Sequence, residues 1–169
     1  VATVVSGPAD ATLTGSAAPS SALTAPAGVA SAPAGPLADH VADPVADPTA
    51  VLQAVADARA AALSAADPVA LAAAEVHGSA AYAADAATVA RLREQRQRYR
   101  DLAFTVSGAQ LVSVDAGKAV VQATVGRSAS TVEGEDGSVQ TMAAVVGEPL
   151  RYVLTLTDGG WRLTDVAGA

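Results

Sequence analysis

The sequence predicts an α+β domain, with three N-terminal helices packed on a curved antiparallel sheet of four to six strands, preceded by a tether rich in alanine and proline. Three observations predict it. Residues 1–47 are low in complexity, apolar residues recur at the helical period between about 48 and 100, and from residue 102 they alternate at every second position. The expected division is a linker over 1–47 and a folded domain over 48–169.

In residues 1–36 all but seven positions are Ala, Pro, Gly, Ser or Thr, without apolar periodicity or an aromatic ring. Such a segment buries too little to offset its ordering entropy. Residues 37–48 (LADHVADPVADP) continue it with a repeated Ala-Asp-Pro, and each proline biases its predecessor away from helix. The expectation is a flexible or partly extended leash, with an arm that docks on a partner as the alternative. The chain starts at Val1 rather than Met, and VATVV over 1–5 reads either as the end of a removed signal peptide or membrane helix or as chance.

Asp47, Pro48 and Thr49 suit a helix N-terminus, and a helix over 48–65 follows. On its wheel Val51, Leu52, Val55, Ala62 and Leu63 share a face, with Gln53, Asp57 and Ser64 turned away. Asp67-Pro68 starts a short helix over 69–76, which His77-Gly78-Ser79 breaks. A third helix is expected over 85–100, with Val89, Leu92 and Tyr99 on one side. Leu102, Phe104 and Val106 then alternate as a half-buried strand, and Val112 and Val114 continue its phase past a bulge at Gly108. A turn at 115–118 leads to a strand over 119–131. The acidic loop 133–138 (EGEDGS) precedes a strand over 139–146. Tyr152, Leu154 and Leu156 mark a fourth strand, and Asp158-Gly159-Gly160 turns it into a fifth carrying Trp161 and Leu163.

Composition narrows the function. A net charge of −7 opposes a general role in binding nucleic acid. Hydrophobic residues make up 51% of the chain, but this is mostly alanine, and no run approaches the ~20 apolar residues of a spanning helix. Membrane association is therefore expected only through a tether or anchor outside this sequence. Ile, Asn and Cys are absent and the only lysine is Lys118, the skew of a GC-rich genome. Without cysteine there is no disulfide, thiol nucleophile or thiolate metal site.

The long first helix, the Ala-Ala-Asp-Pro step at 65–68, the His-Gly-Ser loop at 77–79, the third helix and hairpins ending in Gly-Gly-Trp-Arg-Leu at 159–163 together resemble the NTF2-like, or SnoaL-like, cone fold. The resemblance covers residues 51–166. More narrowly, the arrangement is similar to extracytoplasmic domains that follow Ala/Pro-rich tethers in actinobacterial membrane or kinase-associated proteins. It implies a cone-shaped pocket, enzymes that place a carboxylate or His with Tyr inside it, and dimers made through the sheet face.

Arg59 falls between Val55 and Leu63 on the apolar stripe, so its guanidinium needs a carboxylate, with Asp67, Glu75, Asp85 and Asp101 as candidates. In a cone it would stand at the pocket mouth, where it is the candidate ligand-binding residue for an anion. His77, Tyr82, Asp67 and Asp85 are the candidate acid/base set, against the plainer reading of His77 as a solvent-facing loop residue. Arg91, Arg93, Arg96, Arg98 and Arg100 carry half the positive charge of the chain and form the candidate surface for an acidic partner or anionic headgroups, against a solvated helix face. Glu133, Glu135 and Asp136 match no calcium loop, and Ser128 and Ser130 have no nucleophile elbow or adjacent base. No metal or cofactor is expected. The leading expectation is a non-catalytic extracytoplasmic sensing or protein-interaction domain, with a small ligand in the cone. A small isomerase, lyase or hydrolase is the alternative, and a homodimer through the sheet face a third.

Overall fold

The computed structural model describes residues 42–168. The leash expected over 1–47 lies outside the described residues as far as position 41. From 42 the chain enters through a turn in which Asp43 accepts from the Val45 N–H at 2.9 Å, and Pro44 is fully buried.

Helix α1 spans Pro48–Ala65, capped by Asp47, whose carboxylate accepts from the Ala50 N–H at 2.8 Å. It ends at Ala66 in the left-handed region, whose N–H reaches back to Ala62 and Leu63 carbonyls. Val51, Leu52, Val55, Ala62 and Leu63 are all buried, the face that the helical period predicts. Helix α2 spans Ala80–Glu94. It begins five residues before the expected start because Ser79 caps it, accepting from the Tyr82 N–H at 3.2 Å.

Two expected helices are corrected. The segment over 69–76 makes only a 3-10 turn at Ala70–Ala73. It then leaves the helical path because Val76 N–H and Leu163 C=O bond at 2.9 Å, and Leu163 N–H and Ala74 C=O at 2.8 Å, so a strand edge takes the backbone groups that a further turn would have used. The helix expected over 85–100 stops at Glu94, since Arg96 adopts a positive φ of 52° and redirects the chain. Residues beyond it form strand β1, Gln97–Arg100, against the helix preference of Arg and Gln, because pairing with a later strand outweighs propensity.

Six further strands follow: β2 Phe104–Asp115, β3 Lys118–Arg127, β4 Ser130–Gly134, β5 Val139–Met142, β6 Pro149–Thr157 and β7 Gly160–Gly168. The described residues therefore hold two α-helices and seven strands, not three helices and four to six strands. The strands form two antiparallel sheets, β2-β3-β6-β7 and β1-β4-β5. The strand expected over 119–131 breaks between β3 and β4, and the one expected over 139–146 ends at Met142. Both sheets meet at an elbow held by Ser128. Its hydroxyl donates to Asp101 C=O at 2.8 Å and accepts from Ala103 N–H at 2.8 Å, tying the β1–β2 crossing to the β3–β4 crossing.

In β2 the register slips between Ser107 and Gln110, where Gly108 takes φ 62°, and again between Leu111 and Ser113. The extra residue at the first bulge reverses the phase. Ala109 and Leu111 pack inward, whereas Val112 and Val114, expected to continue the buried phase, are about half exposed.

Between α1 and the four-stranded sheet lies the main core, in which the pairs Ala119 with Leu154 and Val121 with Tyr152 line the covered face. Trp161 packs at its margin. A second cluster of Ala62, Leu63, Leu71 and Val89 joins α1 to α2.

Candidate functional site

A cavity of about 370 Å³ opens between α1, α2 and the four-stranded sheet. Its walls are mainly apolar. Phe104, Val125, Leu150 and Tyr152 come from the strands, Ala80, Ala81 and Ala84 from α2, and Val145 from the segment after β5. Small side chains on α2 keep that wall thin, so the space exists because alanine stands where larger residues would fill it.

Three ionisable side chains converge at the base. Arg59 donates through both Nε and a terminal nitrogen to the two carboxylate oxygens of Asp85, the second bond at 2.8 Å. Glu75 Oε1 lies 3.6 Å from Arg59 Nε. The guanidinium also stacks 4.9 Å from the centroid of Phe104, a cation–π contact. Asp85 and Glu75 are almost wholly buried, and Glu75 is held there by the bridge of residues 74–76 to β7.

These surroundings set the protonation states. Burial, then the hydrogen bond and charge of Asp85, push the Glu75 carboxyl up to about 8, with Arg59 opposing. Burial thus favours the protonated form of Glu75. Burial works against the charge of Arg59, but the bond to Asp85 outweighs it and raises the Arg59 pKa. Burial raises the Tyr152 phenol, with the nearby Arg59 charge opposing. The base therefore joins one cation, the anion that pairs with it and an acid whose burial favours its protonated form.

The candidate acid/base residues do not converge. Of Asp67, His77, Tyr82 and Asp85, only Asp85 lines this cavity. Asp67 closes a turn by accepting from Val69 N–H at 2.8 Å. His77 is exposed, its ring 4.7 Å from that of Tyr82, whose hydroxyl reaches Pro68 C=O at 3.4 Å. Glu75 is the residue that sequence reasoning placed only as a possible partner of Arg59. The available signal is an acid four residues after Leu71 inside an otherwise apolar run.

The expected single arginine face is also corrected. Arg91 and Arg93 lie on α2, Arg96 in the turn, and Arg98 and Arg100 on β1. Arg96 meets Glu135 at 3.5 Å and Arg100 meets Glu133 at 2.8 Å, so part of the acidic loop answers part of the basic run. Among the described residues no three His, Cys, Asp or Glu side chains gather as metal ligands would, and no helix is long and apolar enough to cross a membrane.

No family model matches the chain, and no curated protein does. Among solved structures it is similar to the intermembrane space region of the chloroplast protein ARC6, with 15% identity over 74% of this chain and 95% of that one and a TM-score of 0.46. It is also similar to Aln2 from a Streptomyces species, with 17% identity over 64% of this chain and 80% of that one and a TM-score of 0.39. At such identities and scores neither likeness carries a function. Fold and site together define an α+β domain with two helices over antiparallel sheets and a mainly apolar cavity with the Arg59–Asp85–Glu75 cluster at its base.

Proposed function

We propose that this chain is a non-catalytic binding domain that takes a small, largely apolar ligand in its cavity, within an NTF2-like architecture and in an extracytoplasmic, sensing role. The cavity carries the proposal. Its size and apolar walls suit a compact ligand, and its few polar groups are arranged to orient one rather than to transform it. Asp85 has both oxygens committed to Arg59, and Glu75 is buried at the base of the cavity. The sheet adds Tyr152, Arg127 and Asp165 as the polar groups of the wall. The Ala/Pro-rich composition of residues 1–47 supports presentation on a tether, and the two helices covering a bent antiparallel sheet support the cone reading.

A screen of small apolar and aromatic compounds by ligand-observed NMR on the full chain tests this. Binders are expected, and Leu150→Trp, which fills the cavity from its sheet wall, should abolish their signals while circular dichroism stays unchanged. Binding that persists in that variant, or no binder at all, would remove the proposal.

One observation favours an enzyme as the second reading: a carboxyl titrating at about 8 is poised for proton transfer near neutrality. Turnover of a bound compound that is lost in Glu75→Gln would select that reading over the first.

A further inference from the structure

A second cleft, of about 210 Å³, lies on the other side of the Arg59–Asp85 pair. It shares Arg59, Asp85, Phe104 and Arg127 with the large cavity and adds Arg91, Thr88 and Tyr99 among its walls. Three guanidinium groups and one carboxylate thus face a single concavity, a locally positive site on a chain of formal charge −7. Arg59 and Asp85 neutralise each other through their bidentate pair. That leaves Arg91 and Arg127, and among the described residues neither is paired with a carboxylate. Arg91 is exposed on α2. Arg127 gives one bond to Ala143 C=O at 3.2 Å, which leaves most of its guanidinium donors uncommitted.

Two guanidinium groups without a carboxylate partner on one cleft leave charged donors there for an anion to meet. We infer that this cleft is an oxyanion site that takes a phosphate group, with Arg91 and Arg127 as its two free cations. Two forked, permanently charged donors match the charge and the several acceptor oxygens of a phosphate. Tyr99 and Phe104 give an adjacent wall for the small organic body of a phosphate ester. Binding here does not depend on the proposed ligand cavity being occupied.

The test is calorimetric titration of the full chain with inorganic phosphate and with glycerol 3-phosphate, against chloride at equal ionic strength. Saturable binding of at least one is expected. Arg91→Gln, at an exposed position, should weaken it about tenfold or more, the loss of one charged hydrogen-bonding partner. Arg98→Gln, at an exposed arginine on β1 outside the cleft, should leave it unchanged. Equal affinity for the two probes identifies free phosphate as the ligand, and tighter binding of the ester identifies a small phosphomonoester. No saturable response to either probe overturns the inference. So does binding that Arg91→Gln leaves intact, or that Arg98→Gln reduces as much.

Discussion

Arg59 is placed by the helical period on an apolar stripe, and the structure resolves that tension with a carboxylate from the facing helix. Removing one partner of a buried pair leaves an uncompensated charge and costs about 3 kcal/mol or more. Arg59→Met should therefore destabilise the domain by about 3 kcal/mol in urea unfolding, because Asp85 remains buried beside Glu75. The double variant Arg59→Met/Asp85→Leu should recover much of that loss. Glu75 gives a pH signature of the opposite sign to an ordinary ion-paired acid. Its folded pKa of about 8 lies above its reference value of 4.5, so the folded state holds a proton that the unfolded chain releases. Stability from this group is whole below 4.5 and is lost as pH rises toward 8, with a slope of at most about 1.4 kcal/mol per pH unit. Glu75→Gln should remove that decline, as measured by urea unfolding across the interval.

At the scale of elements, the edge of β2 is finished by a side chain rather than by another strand. Gln53 on α1 donates to Phe104 C=O at 2.9 Å and accepts from Val106 N–H at 2.9 Å, copying the pairing a neighbouring strand would offer. Gln53→Ala should cost about 1–3 kcal/mol in chemical denaturation, since two backbone groups lose their partners. The wheel sets Gln53 apart from the apolar face, and nothing in its spacing reveals a strand 51 residues away. The segment after β5 depends on a glycine. A Cβ at Gly147 would overlap the Val125 carbonyl oxygen, a clash with backbone that no side-chain movement relieves. Gly147→Ala should push this segment off β3 and break the Val145–Arg127 pairing. The expected loss is about 1–3 kcal/mol, read by thermal unfolding, together with weakened binding in the cavity that Val145 lines.

For the molecule as a whole, the elbow at Ser128 decides how the two sheets are joined. Two of the three crossings between the sheets, β1 to β2 and β3 to β4, are tied through it, and its hydroxyl is one donor and one acceptor at once. Ser128→Ala should lower stability by about 1–3 kcal/mol. Backbone hydrogen exchange should rise first at residues 101–103, where the crossing loses its tie. Ser128 is dispensable as a nucleophile candidate, since no base accompanies it, yet it ties one sheet to the other.

The sequence by itself determined the α+β class, the first helix with its cap and buried face, the inward phase of Tyr152 and Leu154 on β6, and the need of Arg59 for a carboxylate. Each follows from local periodicity or from the cost of burying one charge. Tertiary structure alone decided that residues 97–100 are strand, because Arg and Gln favour helix until Glu133 and its strand pair with them. It alone converted the segment after Leu71 from helix to a bridge on β7, which in turn buried Glu75 and raised its pKa. It alone separated His77 and Tyr82 from Asp85, divided the arginine run between a helix and a strand, and opened a cavity whose walls come from several separate elements. These outcomes rest on contacts between residues far apart in the chain, and spacing along a sequence carries no record of them.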